Sequence, residues 1–477
     1  MTRQTSALLE RNVSVTLEFA TRACRTTFSQ STKTTSHSMT SAQQNHQSIP
    51  RQVVTAAAHA LQRWENGREA TAPTSVSKPV RSIVRNLLFS VFRHRARIDW
   101  AIDQLASRKV SPEALHNILR IGFCQIFFMD GIAPATAVDE CVGIARKKFG
   151  KKRAGFVNAV LRQALRNFSP GLQDQEQNLP EHVKLGLGQA VYDQWQTLSK
   201  TQLEDRAQTL LAEAPLTVRL RDRESTIGNQ WPVYLKPLPE FDWAPDCRFY
   251  HCENPERLFT GEDMLPGGFY VQDPSTALAP TILAPNAKET VADLCAAPGG
   301  KTLLLSDLST GKANIIAMDR NTRRIHRLQE NTDQESGIAL VAGDAQKPPF
   351  SHAAFDAVLL DVPCSNTGVI RRRPDVRWRF SRESLSRLVE LQREILNSAA
   401  ELIRPGGRLV YSTCSLENEE NGDQIRGFLD GHSNFELISE QQIEPGQWHD
   451  GAYAVKLCRK SQSSHGMDKC ALHPSEG

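Results

Sequence analysis

The chain lacks what would place it in a membrane or in a disulfide-stapled scaffold. No apolar run among its 477 residues reaches the roughly 18 that a membrane-spanning helix needs. Its ten cysteines are scattered and include no CxxC pair. The closest two, Cys247 and Cys252, lack the further Cys or His ligands of a zinc site, so no metal is expected. The first residues have no apolar signal-peptide core. Together these absences point to a reduced, cytoplasmic, membrane-free protein, for which a monomer is the default. Charge of one sign is scarce as well: the net charge is only +4, which permits a nucleic-acid partner without arguing for one.

What is present is strongly patterned. Residues 1–49 are rich in Ser, Thr and Gln and read as a disordered extension, either a weak transit peptide or a start placed upstream of Met39. From 51 to 170 apolar residues recur every three or four positions, as in "KPVRSIVRNLLFSVFRHRARIDWAIDQL", which predicts an all-α bundle of five or more helices. Residues 171–270 mix helical pieces with short runs such as "APLTVRLR" and read as a small α+β connecting domain. From 271 to 458 apolar strands ("TVADLCA", "NIIAMD", "IALVAGD", "AFDAVLLDVP", "GGRLVYST") alternate with helices, which predicts a largely parallel sheet covered on both faces. "RPGG" is expected to stop the long helix before the last of these strands. Residues 459–477 are a polar tail. Two basic clusters, "RKKFGKKR" (146–153) and "RRRPDVRWR" (371–379), are either solvated faces or phosphate contacts.

In such a sheet, ligands bind at the carboxyl ends of the strands, and there the polar residues gather. Asp293 ends one strand and is followed by the small-residue loop "LCAAPGGKT", which is neither a GxGxxG nor a P-loop. Asp319, Asp344 and Asp361 end the next three strands. Each acid alone could simply cap a following helix; four in register favour a nucleoside-containing ligand, with Asp319 toward a ribose and Asp344 toward an adenine amino group. Cys364 follows the fourth strand and Cys414 the fifth. Either could be an inert small residue, but two thiols at neighbouring strand ends suggest nucleophilic chemistry.

The segments "DLCAAPGGKT", "DVPCSNTGVIRRRPDVRW" and "YSTCSLENEEN" closely resemble the motifs of S-adenosylmethionine-dependent RNA cytosine-carbon-5 methyltransferases. "AGFVNAVLR" and its surroundings resemble the NusB-like RNA-binding domain of that family's 16S ribosomal RNA branch, the Sun/RsmB type. The resemblance spans residues 51–458. It implies three domains: an N-terminal NusB-like bundle, the connecting domain and a Rossmann-like methyltransferase domain. By position it further implies that Cys295, Ala296, Ala297, Pro298, Gly299, Gly300, Lys301, Asp319, Asp344 and Asp361 bind the cofactor or line its edge. Cys414 would be the nucleophile that attacks carbon 6, Cys364 would assist its release, Asp361 would meet the cytosine and Lys301 would add electrostatic support. Arg371, Arg372 and Arg373 would meet the RNA backbone. Val362 replaces the family's more usual alanine. A transfer-RNA methyltransferase shares these catalytic motifs and is the main rival. A DNA-type enzyme would not need Cys414, and a non-catalytic RNA-binding protein would be expected to have lost a cysteine or the cofactor loop.

Overall fold

The computed structural model describes residues 48–168, 171–172, 179–221, 233–260, 268–333, 335 and 337–461. The extension expected to be disordered and the polar tail lie almost wholly outside them. The chain divides into two compact units. One is helical, running through Leu211 and including Arg373–Arg379; the other contains Ala212–Arg372 and the chain from Phe380 onward. No helix among the described residues is long and apolar enough to cross a membrane.

The helical unit is built on α1 (Ile49–Glu65), α2 (Lys78–Leu105), α3 (Glu113–Phe127), α4 (Pro134–Phe149) and α5 (Lys151–Asn167). Proline lies in the first turn of α1, α2 and α4, where its missing N–H is harmless. The Ser48 hydroxyl accepts from Arg51 N, so α1 starts two residues before the expected boundary. Val84, Leu87, Leu88 and Val91 of α2 recur at helical spacing and are buried. They share one core with Val54, Leu61, Ile118, Phe123 and Leu161. The helix α6 (Lys200–Leu211) also belongs to this unit.

The connecting region is not one body. Its helical half joins the bundle, whereas β1 (Thr217–Leu220), β2 (Leu235–Pro237), β3 (Phe249–Cys252) and β4 (Phe269–Val271) join the other unit as an antiparallel sheet of order β2-β3-β1-β4. Arg219 and Arg221 supply the physical reason. Each reaches Asp307 at 2.7 Å, and Arg221 also reaches Glu335 at 2.7 Å.

The main sheet contains β5 (Thr290–Asp293), β6 (Asn314–Asp319), β7 (Ile338–Ala342), β8 (Phe355–Asp361), β9 (Ile403–Thr413), β10 (Phe435–Ile443) and β11 (Ala452–Arg459), in the order β10-β11-β9-β8-β5-β6-β7. Strands β5 to β9 are parallel, as the alternating pattern predicts; β11 runs antiparallel to both β9 and β10. Between them run α7 (Gly300–Leu308), α8 (Thr322–Thr332), α9 (Arg382–Leu402) and α10 (Gly422–Gly431). Arg404–Gly407, expected to be a helix stop, already lies in β9. At Gly407 a Cβ would stand 2.8 Å from the Asp356 carbonyl, so the strand passes there without a side chain. Strand order reverses beside β5, and the crevice outside the carboxyl ends at such a point is where open α/β sheets bind ligands.

Candidate active site

The loop after β5 is tied to both neighbouring strands. Leu294 N donates to Leu359 O at 3.1 Å and Ala296 N to Met318 O at 2.9 Å. Gly299 adopts φ +111°, a conformation that side chains resist. At Gly300 a Cβ would meet the Tyr270 ring at 2.9 Å. Ala296 and Ala297 are buried, and Asn331 Nδ2 holds Pro298 O at 2.7 Å. The backbone from Cys295 to Lys301 is thereby fixed, and its own side chains stay small until Lys301.

The four acids fill different roles. Asp293 is fully buried and accepts from Thr302 Oγ1 at 2.7 Å, while its Oδ1 has no hydrogen-bond partner among the described residues. Burial pushes its carboxyl up to about 7. Asp319 accepts from Asn321 N at 2.9 Å and Ala297 N at 3.3 Å, and faces Arg324 at 3.5 Å. It therefore braces the loop and the backbone of Asn321, which itself caps α8, while its carboxylate stays at the end of β6. Asp344 lies beyond β7, accepting from Gln346 N at 3.1 Å and facing Arg320 at 3.6 Å. Asp361, at the end of β8, pairs with Lys301 Nζ at 2.7 Å. Burial pulls the Lys301 ammonium down, but Asp361, Cys414 and Asp293 together outweigh it and raise it.

Because β8 and β9 are adjacent and parallel, the loops that follow them bring the two thiols together. Cys364 Sγ and Cys414 Sγ are 3.1 Å apart. Cys364 is buried and Cys414 is partly exposed. The Cys414 sulfur beside it, together with burial, pushes the Cys364 thiol well up. Asn366, at φ +64°, donates to Cys364 O at 2.7 Å, and its amide oxygen lies 3.4 Å from Cys414 Sγ. The Ser365 and Ser415 hydroxyls meet at 3.0 Å, and Leu416 N donates to Thr367 Oγ1 at 2.9 Å. Gly368 N donates to Cys414 O at 2.9 Å, and a Cβ there would lie 2.8 Å from both Cys414 O and Gly451 O.

The arginines require a correction. Arg371 is buried, its Nε bonded to Asp450 and its Nη1 donating to Gly446 O at 2.9 Å. Arg372 bonds Asp450 and Asp273, and donates to Pro215 O at 3.2 Å. Two cations grip two buried carboxylates, so these side chains hold the structure rather than an RNA phosphate. Arg373 is exposed. The sequence reading also passed over Ser365, Asn366, Thr367, Ser415 and Glu420, although all lie within the motifs around the two cysteines. Polar residues next to a candidate nucleophile are the signal that would have found them.

A parallel sheet with a small-residue loop, strand-end acids and paired thiols, in the same chain as a five-helix bundle, defines a nucleic-acid-type methyltransferase. Residues 280–472 match the family described as 16S rRNA methyltransferase RsmB/F, and residues 45–166 match the NusB family. The chain is 30% identical over 402 residues to ribosomal RNA small subunit methyltransferase B of Salmonella newport (strain SL254), covering 80% of this chain and 91% of that one. The Salmonella typhi protein of the same name gives the same figures. The solved structure of PH0851 superposes with a TM-score of 0.68 at 23% identity, over 86% of this chain and 99% of that one, which shows a shared fold. The chain belongs to the RsmB/F family of 16S rRNA methyltransferases.

Proposed function

We propose that this protein forms 5-methylcytosine in 16S ribosomal RNA through a covalent cysteine adduct. The observation that carries the reading is the 3.1 Å approach of Cys364 and Cys414 beside the Lys301–Asp361 pair. S-adenosylmethionine supplies the methyl group as an electrophile. The residues present suit that cofactor: the loop from Cys295 to Lys301 carries only small side chains before Lys301, the buried Asp293 Oδ1 has no hydrogen-bond partner among the described residues, and the carboxylates of Asp319 and Asp344 stand at successive strand ends.

A pyrimidine carbon 5 is a weak nucleophile, so the protein must add electrons to the ring. The Cys414 sulfur attacks carbon 6, which turns carbon 5 into an enamine-like nucleophile that takes the methyl group. Asp361, held in place by Lys301, contacts the cytosine ring, and the Lys301 ammonium offsets negative charge that develops nearby. Loss of the carbon 5 proton then expels the Cys414 sulfur, with Cys364 assisting. The target base must leave any stack to reach this cleft.

The test uses Cys414→Ala and Cys364→Ala proteins incubated with S-adenosylmethionine and 16S ribosomal RNA, then run on a denaturing gel. A covalent protein–RNA band is expected with Cys364→Ala and none with Cys414→Ala. The reverse pattern would move the nucleophile to Cys364. Mapping the methylated base in ribosomal and transfer RNA identifies the substrate, and methylation confined to transfer RNA would overturn that part of the reading.

A further inference from the structure

Glu420 has a carboxylate that the chemistry above leaves unused. It is fully buried, and its side-chain partners are all neutral. Ser365 N donates to Oε1 at 2.9 Å and the Ser365 hydroxyl to Oε2, while Gln392 Nε2 donates to Oε1 at 2.9 Å. Gln392 Nε2 also donates to Pro363 O at 2.8 Å. The carboxylate thus holds both neighbours of Cys364, Ser365 directly and Pro363 through Gln392. The Tyr411 hydroxyl donates to Glu420 O at 2.7 Å and fixes the backbone that carries it.

A neutral amide could accept from Ser365 as well. Burying a carboxylate without a cation is costly even when several donors solvate it. What the carboxylate alone adds is a second accepting oxygen, so that it holds Ser365 and Gln392 at once.

We infer that Glu420 is a positioning residue for the thiol pair: it clamps both neighbours of Cys364 and so keeps Cys364 within reach of Cys414 when the adduct is released. The inference rests on the nucleophile assignment made under the proposed function. It also accounts for release. As the Cys414–C6 bond breaks, its electron pair returns to the Cys414 sulfur, which takes the Cys364 proton. The proton lost from carbon 5 restores Cys364, and one proton then leaves the pair for solvent, which frees the Cys414 sulfur for the next attack.

The experiment compares Glu420→Gln, Glu420→Ala and Ser365→Ala with Cys364→Ala and the unaltered protein. Each is checked for folding by thermal melt, for first-turnover methyl transfer to 16S ribosomal RNA, and for covalent protein–RNA on a denaturing gel. Both Glu420 variants are expected to accumulate at least tenfold more adduct than the unaltered protein, while first-turnover transfer stays within threefold. A folded Glu420→Gln protein indistinguishable from the unaltered one overturns the inference. So does a parallel loss of transfer and adduct, the mark of a merely structural residue. Should the Glu420 variants fail to fold, Ser365→Ala keeps the charge and loses one clamp: raised adduct supports the inference, and an unchanged level overturns it. If Cys364→Ala itself gives no adduct, the nucleophile reading has failed, and this inference falls with it.

Discussion

The helical unit buries two cysteines in its core and the other unit brings two together at its strand ends, with opposite results. In the helical unit Cys124 and Cys141 sit in the apolar core, where burial pushes both thiols up to about 12. Arg93 near Cys124 favours its ionised form, but burial outweighs that help. In the other unit Cys364 is equally buried, yet it touches a second sulfur and lies in a loop organised by Asn366, Ser365 and Glu420. Burial is therefore not what separates the core thiols from the proposed reactive pair. The difference is placement: a helix interior surrounds a thiol with carbon, whereas a strand end surrounds it with polar loops and free backbone groups.

The sharpest way to break this comparison is to remove one cysteine from each unit. Cys414→Ala is expected to lower methyl transfer by on the order of a thousandfold or more, measured with tritiated methyl donor. Cys141→Ala should leave that rate within about twofold. A comparable loss from both would mean that placement is not the distinction.

Arginine gives the next largest effect. Arg371→Ala leaves Asp450 and Asp273 short of a buried partner and should cost about 3–5 kcal/mol of stability in urea titrations. Its effect on the salt dependence of RNA binding should be nil. Exposed Arg373→Ala should do the reverse, changing stability by less than about 0.5 kcal/mol and lowering the salt slope by about one if it meets a phosphate. Equal salt slopes for the two variants would erase the distinction between anchor and contact.

Two acids, one from each unit, titrate in opposite directions. Burial raises Asp99 of α2, but the His116 hydrogen bond and Arg120 prevail and hold its carboxyl below the usual range. Asp293 is lifted by burial to about 7 from an ordinary 3.8. Between those two values the folded protein keeps a proton that the unfolded chain has lost, so Asp293 makes stability fall as pH rises, by at most about 1.4 kcal/mol per pH unit. Asp293→Asn removes that slope. Denaturation at pH 5 and pH 8 should show the substitution costing more at the lower pH; an equal cost would mean that Asp293 is ionised throughout. The smallest effect expected is that of Cys141→Ala on stability, about 1 kcal/mol by thermal or urea unfolding.

Much of this was legible in the sequence because it is local. Apolar runs ending in Asp293, Asp319 and Asp361 mark strands and their carboxyl ends together, and three- and four-residue spacing marks the bundle. The misreadings share a physical cause, since they depended on partners far away in the chain. Arg371 and Arg372 read as surface charge because Asp273 and Asp450 are remote in sequence. The connecting region read as one domain because the pull of Asp307 on Arg219 and Arg221 is equally remote. Strand β10 was not anticipated: most of its residues face solvent, so it lacks the apolar run that betrays a buried strand. Glu420 was hidden by its acid-rich surroundings, which look like any solvated turn.

Strand β11 sets the order in which the protein becomes functional. Gly451 N donates to Gly368 O at 2.9 Å, and the neighbouring Asp450 grips Arg371 and Arg372. The loop that follows Cys364 is thus pinned from a segment made more than seventy residues after it. During synthesis, which runs from the N-terminus, both cysteines emerge before the strand that holds their loops in place. A nascent chain therefore carries both thiols before the loop after Cys364 is pinned, and that pin arrives only with the last strand of the sheet.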